Sequence, residues 1–266
     1  MIAKALDDVV DLRALDWLRV AVGPITILSL WPFVADARDG RIYRDTFYEP
    51  YVSWYPEVPR ALYIGLLCVG VLAALAMTFG VRPRAASVVA FVVVAYNQLL
   101  STTHFHNNRT YLLIVLGVLA VAPRREGPAW PLHLLRIEAA TVYGASGLSK
   151  LLDADWFGGR VTWGRVVKVQ EQVPDWLVGT LTSRDLHTVL AKVIVLTELF
   201  IAVGLLVRRT RVAAVVVAVT FHLAIAVTTD VQVFSILGIC ALVIWFEPGE
   251  LEARWRRSPR ARTSRC

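Results

Sequence analysis

The stretch of sequence that decides the fold runs from residue 187 to residue 228 and reads HTVLAKVIVLTELFIAVGLLVRRTRVAAVVVAVTFHLAIAVT. It contains two apolar runs, each close to the roughly 20 residues that a helix needs to cross the hydrocarbon core of a bilayer. Arg208, Arg209 and Arg211 separate them. Short basic connections between apolar runs are typical of loops on the cytoplasmic side of a membrane. This stretch therefore predicts two transmembrane helices, at residues 187–207 and 211–228.

Similar apolar runs recur along the chain, and the composition agrees with a membrane protein. The 266 residues are 56% hydrophobic and only 18% charged, with a mean hydropathy of +0.56, whereas soluble domains are about 25% charged. We predict an all-α fold, a polytopic membrane helix bundle of about eight transmembrane helices within residues 1–247, followed by a basic tail at 248–266. The predicted helices are 14–35, 60–80, 85–102, 107–123, 131–152, 187–207, 211–228 and 231–247.

Arginines in the short connections predict the orientation of this bundle. They join the second helix to the third, the fourth to the fifth and the sixth to the seventh, and they fill the tail: Arg82, Arg84, Arg124, Arg125, Arg208, Arg209, Arg211, Arg254, Arg256, Arg257, Arg260, Arg262 and Arg265. These connections alternate along the chain and so lie on one side, which the positive-inside rule makes cytoplasmic. Both termini are then cytoplasmic, which requires an even number of spans and agrees with eight.

The remaining composition narrows the class of protein. The net charge of +7 does not predict nucleic-acid binding, because the basic residues lie where a bilayer places them. Cys68, Cys240 and Cys266 show no spacing of a disulfide framework. The acidic N-terminus predicts no cleavable signal peptide. Abundant Arg, Ala and Val are typical of a bacterial genome, and we expect a multi-pass protein of the bacterial cell membrane.

Two longer segments, at about 36–59 and 153–186, are expected on the outer side. Both are aromatic, and one interpretation is an interfacial belt of rings at headgroup level. The alternative is a lid over a site that opens outward. Residues 161–172 are predicted to form a short interfacial helix.

Ionisable residues inside predicted spans are candidates for function, because they cost about 2.5–3.5 kcal/mol at mid-membrane. Lys150 lies near the outer end of the fifth helix and shares a face with Tyr143 and Ser146 at helical spacing. Gly144 and Gly147 make this helix slim and permit close packing. Lys150 either extends to the headgroups as a snorkelling lysine or acts as a desolvated general base.

His222 and Glu198 lie about eleven residues into the seventh and sixth helices, near mid-depth. The histidine either bonds a neighbouring helix or transfers a proton or binds a ligand. Glu198 is interpreted as a structural ion pair or a protonated carboxyl group. Arg136 and Glu138 are interpreted as structural.

The run HFHNNRTY at residues 104–111 opens the fourth helix at the outer face. Two histidines, His104 and His106, do not make a metal site without further ligands, and we predict no metal. The start of the helix instead offers free N–H groups and a positive dipole end, which suit an anion.

Three segments resemble the membrane portion of the vitamin K-dependent gamma-carboxylase family, in the wider group called HTTM domains. Residues 107–112, NNRTYL, are similar to the family's NNHSYL. Residues 142–158, VYGASGLSKLLDADWFG, look like the family's VYFxAGxKKLDADW with one residue inserted. Phe221-His222 and residues 233–238, VFSILG, resemble the family's FH and LFSIG. Their order and approximate spacing match the family over residues 100–247.

The resemblance implies a chemistry and a set of residues. In the family a lysine deprotonates reduced vitamin K, oxygen is taken up, and the strong base that forms removes a proton from a substrate glutamate. Carbon dioxide then adds, and the quinone leaves as its epoxide. The matching positions imply catalytic roles for Lys150, His222, Asn108 and Arg109. We expect contacts to vitamin K quinol or menaquinol from Tyr143, Ser146, Glu198 and His222.

The departures from the family affect the second half of this chemistry. Arg109 stands where the family has a histidine tied to carboxylation, and about 19 residues follow the last predicted helix, where the carboxylases carry a large β-rich part. The resemblance therefore predicts quinol oxidation more firmly than carboxylation of a peptide or protein on the outer face. A non-catalytic membrane partner in the maturation of, or immunity to, a secreted peptide is the alternative, in which Lys150 forms a structural ion pair with Asp153 or Glu198. A transporter is disfavoured because no inverted repeats are found.

Overall fold

The computed structural model describes residues 6–40, 51–102, 107–167, 171, 174–228 and 232–246. Apart from two three-residue strands, the regular structure in these ranges is helical. The helices are α1 (Arg13–Arg38), α2 (Arg60–Thr78), α3 (Pro83–Leu100), α4 (Asn107–Val121), α5 (Trp130–Leu152), α6 (Ala154–Phe157), α7 (Arg160–Val167), α8 (Asp175–Leu181), α9 (Arg184–Leu206), α10 (Arg211–Thr228) and α11 (Gln232–Ala241), which continues as the 3₁₀ turn Leu242–Trp245.

A helix lies at each of the eight positions predicted for a span, and the all-α fold is confirmed. Four of these helices, α1, α2, α3 and α9, are long and apolar enough to cross a membrane. Shorter apolar helices cover Arg109–Val121, Arg211–Ala226 and Val233–Trp245. α5 is 23 residues long but carries Arg136, Glu138 and Lys150, so its length and composition do not by themselves mark it as a span. Eight spans with both termini cytoplasmic stay a prediction, and the tail lies outside the described residues.

The chain divides into two units, residues 1–135 with 222–266 and residues 136–221. In the first unit, α1 to α4 pack in chain order and α11 packs against α1 and α4. Small residues permit these contacts, as they do in many membrane helix pairs. A Cβ on Gly23 of α1 would lie 2.5 Å from the carbonyl oxygen of Ala74 on α2.

A small antiparallel sheet in the first unit has no counterpart in the sequence-based prediction. Strand β1 (Val9–Asp11) pairs with β2 (Glu126–Pro128), with Val10 opposite Gly127. Three-residue strands show no periodicity, so the hydropathy pattern does not reveal them. The sheet ties the residues before α1 to the connection between α4 and α5.

Arg19 of α1 holds the same connection from inside the unit. Its side chain is fully buried, and Nη2 donates hydrogen bonds to the carbonyl oxygens of Leu119 at 2.9 Å and Ala122 at 2.8 Å. Nη1 donates to Asp16 Oδ1 at 2.8 Å. The guanidinium thereby satisfies carbonyl groups that the end of α4 leaves without a helical partner.

In the second unit, α6 and α7 pack against α9. The Asp153 side chain caps α6, because Oδ1 accepts hydrogen bonds from the backbone N–H groups of Asp155 and Trp156 at 2.9 and 3.2 Å. Gly159 has φ +79°, and a Cβ there would collide with the backbone of His187. Helix α7 covers the first part of the predicted interfacial helix, and most of its remaining residues lie outside the described ranges.

Candidate functional site

Lys150, Glu198 and Ser146 form a polar cluster in the second unit. Lys150 Nζ lies 2.6 Å from Glu198 Oε1 and 2.7 Å from Oε2, and it donates to Ser146 Oγ at 2.5 Å. Ser146 Oγ in turn donates to Glu198 Oε1 at 3.0 Å. The side chains of Lys150 and Glu198 are 15% and 5% exposed. Three predicted site residues therefore meet in one largely buried cluster.

Small residues on α5 allow α9 to approach this cluster. Ser146 and Lys150 are four residues apart and so share a face of α5. Gly147 lies between them in sequence, and a Cβ there would be 3.0 Å from Leu199 and 3.3 Å from the Glu198 Cβ. At Gly144 a Cβ would make an ordinary contact of 3.7 Å with Ala202. The close packing predicted from these glycines is observed at Gly147.

Aromatic rings border the cluster of Lys150, Glu198 and Ser146. Lys150 Nζ is 5.1 Å from the centre of the Trp156 ring, and the guanidinium carbon of Arg165 is 5.6 Å from it. Lys192 lies on α9, and its Nζ is 5.6 Å from the centre of the Phe157 ring. Cations within about 6 Å of an aromatic face are attracted to it, so the Trp156 ring attracts two positive charges.

The geometry bears on the two interpretations of Lys150. Nζ donates to Glu198 and Ser146 instead of extending freely to the headgroups. The general-base interpretation of Lys150 stays a prediction. Tyr143, one further predicted contact residue, is 5% exposed on the same helix.

His222 lies in the first unit, packed among aromatic rings. It is fully buried, and its ring centre is 5.3 Å from that of Phe234, which is 6.2 Å from the ring of Tyr111. A Cβ on Gly238 would collide with the His222 imidazole. Residues from the first and third family-like segments therefore contact the same phenylalanine.

Arg109 lies in the first turns of α4, with its guanidinium carbon 4.3 Å from the centre of the Phe33 ring. The next residue, Thr110, accepts a hydrogen bond through Oγ1 from Gln98 Nε2 at 2.7 Å. The Asn108 side chain and both histidines of the 104–106 run lie outside the part of the chain whose side chains are described. The roles of Asn108 and of an anion at this helix start stay predictions.

The two halves of the predicted site belong to different units. Lys150, Ser146 and Glu198 lie in residues 136–221, whereas Arg109 and His222 lie in the other unit. A single pocket shared by Lys150 and His222 stays a prediction. Within the described ranges, no three His, Cys, Asp or Glu side chains are grouped so as to hold a metal ion.

Sequence reasoning left two features of these sites open or unnoticed. It offered Asp153 and Glu198 as partners for Lys150, and the structure pairs Lys150 with Glu198 while Asp153 caps α6. It did not single out Arg19, although an arginine seven residues into an apolar helix signals a buried or paired charge.

The family model described as HTTM domain matches residues 122–249. The second and third family-like segments fall inside this match, and residues 107–112 precede it. No curated protein and no solved structure matches the chain. Residues 122–249 thus match the HTTM domain, in agreement with the family that the sequence resemblance predicts.

Proposed function

We propose that this protein is a vitamin K-dependent carboxylase-like membrane enzyme that oxidises vitamin K quinol or menaquinol with oxygen. The buried Lys150–Glu198 pair, hydrogen-bonded to Ser146, is the observation that carries the proposal. It lies within the HTTM match, at the position where the family resemblance implies the proton-accepting lysine. The overall reaction converts one quinol and one dioxygen to one quinone epoxide and one water.

The proposed topology has eight helices crossing a bacterial cell membrane, with both termini in the cytoplasm. Four helices support it by length and composition, and the alternating basic connections supply the orientation. In this arrangement Lys150 and Trp156 lie towards the outer face. Such a position suits a quinol that enters from the lipid with its polar ring at headgroup level.

The chain's own residues supply proton transfer and charge. Glu198 accepts the proton of a quinol hydroxyl, and Ser146 fixes the carboxylate through its hydrogen bond. The Lys150 ammonium then remains beside the oxygen that has lost its proton and stabilises it in a low-dielectric setting. The Lys150 side chain is 15% exposed beside the Trp156 ring, so a ligand at this place would meet both. The quinol, when bound, supplies the electrons that reduce oxygen.

Carboxylation is the less supported half of the activity. The guanidinium of Arg109 is always charged and cannot exchange a proton as the family's histidine does. We propose that quinol oxidation is retained and that any peptide or protein acceptor is modified at the outer face.

A second candidate is a non-catalytic membrane partner of a secreted peptide. One observation favours it: all three N–H donors of an ammonium can be accounted for by Ser146 and the two oxygens of Glu198. A lysine bonded in this way also forms, with Glu198, an ion pair that joins α5 to α9.

The test is quinol turnover by the purified full-length protein in detergent. Reduced vitamin K or menaquinol is supplied under air, and the epoxide is measured by chromatography. Glu198→Gln removes the proposed proton acceptor, and Lys150→Met removes the ammonium proposed to stabilise the deprotonated quinol oxygen. Lys192→Met is the matched control, because it removes a lysine on α9 that contacts the Phe157 ring outside the cluster.

We expect epoxide from the wild type and from Lys192→Met, and none from Lys150→Met or Glu198→Gln. The variants must elute as folded monodisperse protein for the comparison to count. No epoxide from the wild type, with no rise in melting temperature on adding quinol, would instead favour the non-catalytic partner.

A further inference from the structure

A second site lies in the first unit, at the connection between α2 and α3. An open cleft of about 430 Å³ is lined by three arginines and three apolar residues: Arg82, Arg84, Arg124, Pro83, Ala85 and Val88. It includes none of the residues proposed for the quinol chemistry. The positive-inside rule places these arginines at the cytoplasmic face.

The charges around the cleft are not balanced by the described residues. Asp16 Oδ1 lies 3.4 Å from Arg124 Nε, but it also accepts the 2.8 Å hydrogen bond from the buried Arg19. Arg84 donates through Nε to the carbonyl oxygen of Ala120 at 3.2 Å. No described residue forms a hydrogen bond or an ion pair with the Arg82 side chain. Asp16 is thus shared between Arg124 and the buried Arg19, and the three arginines of the cleft leave an excess of positive charge.

The start of α3 adds to this charge. Pro83 stands at the beginning of the helix, so the first-turn N–H groups and the positive end of the helix dipole face the same region as Arg82. Arg82 itself is the N-cap residue of α3 and has φ 41°. Three guanidinium groups and a helix start around one cleft match a phosphate group, which arginine binds with paired hydrogen bonds.

An apolar strip leads away from the cleft along α3. Val88, Val89 and Val92 are 43%, 37% and 56% exposed and share one face with Ala85 at helical spacing. A free phosphate ion has no apolar part that could contact such a surface, whereas a phospholipid can place an acyl chain along it. The combination of basic cleft and apolar strip therefore favours a phospholipid over a free phosphate ion.

We propose that this cleft binds the headgroup of an anionic phospholipid of the inner leaflet, with an acyl chain along Val88, Val89 and Val92. Basic pockets between membrane helices at the cytoplasmic side bind such headgroups in other proteins. The inference is independent of the quinol chemistry, since a protein without any enzymatic activity would keep the cleft.

The experiment measures lipid binding to the full-length protein in detergent by native mass spectrometry. The probes are phosphatidylglycerol, phosphatidylcholine and inorganic phosphate, each titrated separately. Arg82→Gln is the test variant, because Arg82 has no described partner whose loss would disturb folding. Arg209→Gln is the control, since it removes the same charge from another short connection on the same predicted side.

We expect phosphatidylglycerol to bind the wild type more tightly than phosphatidylcholine. Arg82→Gln should weaken phosphatidylglycerol binding about fivefold, and Arg209→Gln should leave it unchanged. Equal weakening by both variants would show general charge attraction and overturn the proposal. Inorganic phosphate binding with the same dependence on Arg82, and as tightly as the lipid, would also overturn it.

Discussion

Lys150 and Glu198, 48 residues apart in sequence, are joined by two hydrogen bonds of 2.6 and 2.7 Å from one ammonium to both carboxylate oxygens. The pair links α5 to α9 and is mostly shielded from solvent. Removing one partner of such a pair affects the stability of the fold differently from removing both, because the charge left behind is buried without compensation.

Removing one member of the pair should destabilise the protein more than removing both. We expect Lys150→Met or Glu198→Leu alone to lower the free energy of unfolding by about 3–5 kcal/mol. The double variant should recover most of that loss. Thermal unfolding in detergent provides the measurement, and additive losses in the double variant would argue against a coupled pair.

The two glycines on α5 should differ in their tolerance of a methyl group. Gly147→Ala places a Cβ 3.0 Å from Leu199 and should cost about 1–3 kcal/mol of stability through overpacking. Gly144→Ala meets only an ordinary contact at 3.7 Å and serves as its control. Equal melting temperatures for the two variants would contradict the close approach of α9 at Gly147.

Arg19 should not be replaceable by lysine. Its guanidinium reaches Leu119, Ala122 and Asp16 at once, and a lysine ammonium lacks that planar fork. We expect Arg19→Lys to lower stability by about 1–3 kcal/mol, because buried acceptors lose their partners. Arg38→Lys is the control, since Arg38 has an 81% exposed side chain. Its melting temperature should equal that of the wild type.

The orientation can be checked with single cysteines in a background where Cys68, Cys240 and Cys266 are replaced by alanine. Trp176 is 79% exposed in α8, on the segment predicted to lie outside. Trp176→Cys should react with a membrane-impermeant maleimide in intact cells, and Arg209→Cys should react only after the cells are opened. The reverse pattern would invert the proposed topology.

The sequence predicts the helices well, because each apolar run is long enough to show its ends. α10 begins and ends where the hydropathy pattern indicates. α1 runs from Arg13 to Arg38, slightly longer at both ends than its predicted range of 14–35. Contacts between distant residues are predicted less well. Helical spacing places Ser146 beside Lys150, but the choice between Asp153 and Glu198 depends on how α9 packs. The β1–β2 pairing is too short to leave a sequence signal.

The bond from Arg19 to the carbonyl of Leu119 also constrains the order of events during synthesis. The two residues are 100 positions apart, and a ribosome that adds about 5–20 residues per second needs on the order of ten seconds to span them. During that interval α1 reaches the membrane with a guanidinium that still lacks the carbonyl groups of α4. We expect the nascent α1 to stay near the cytoplasmic interface, with water around Arg19, and to settle into its final depth only when α4 arrives.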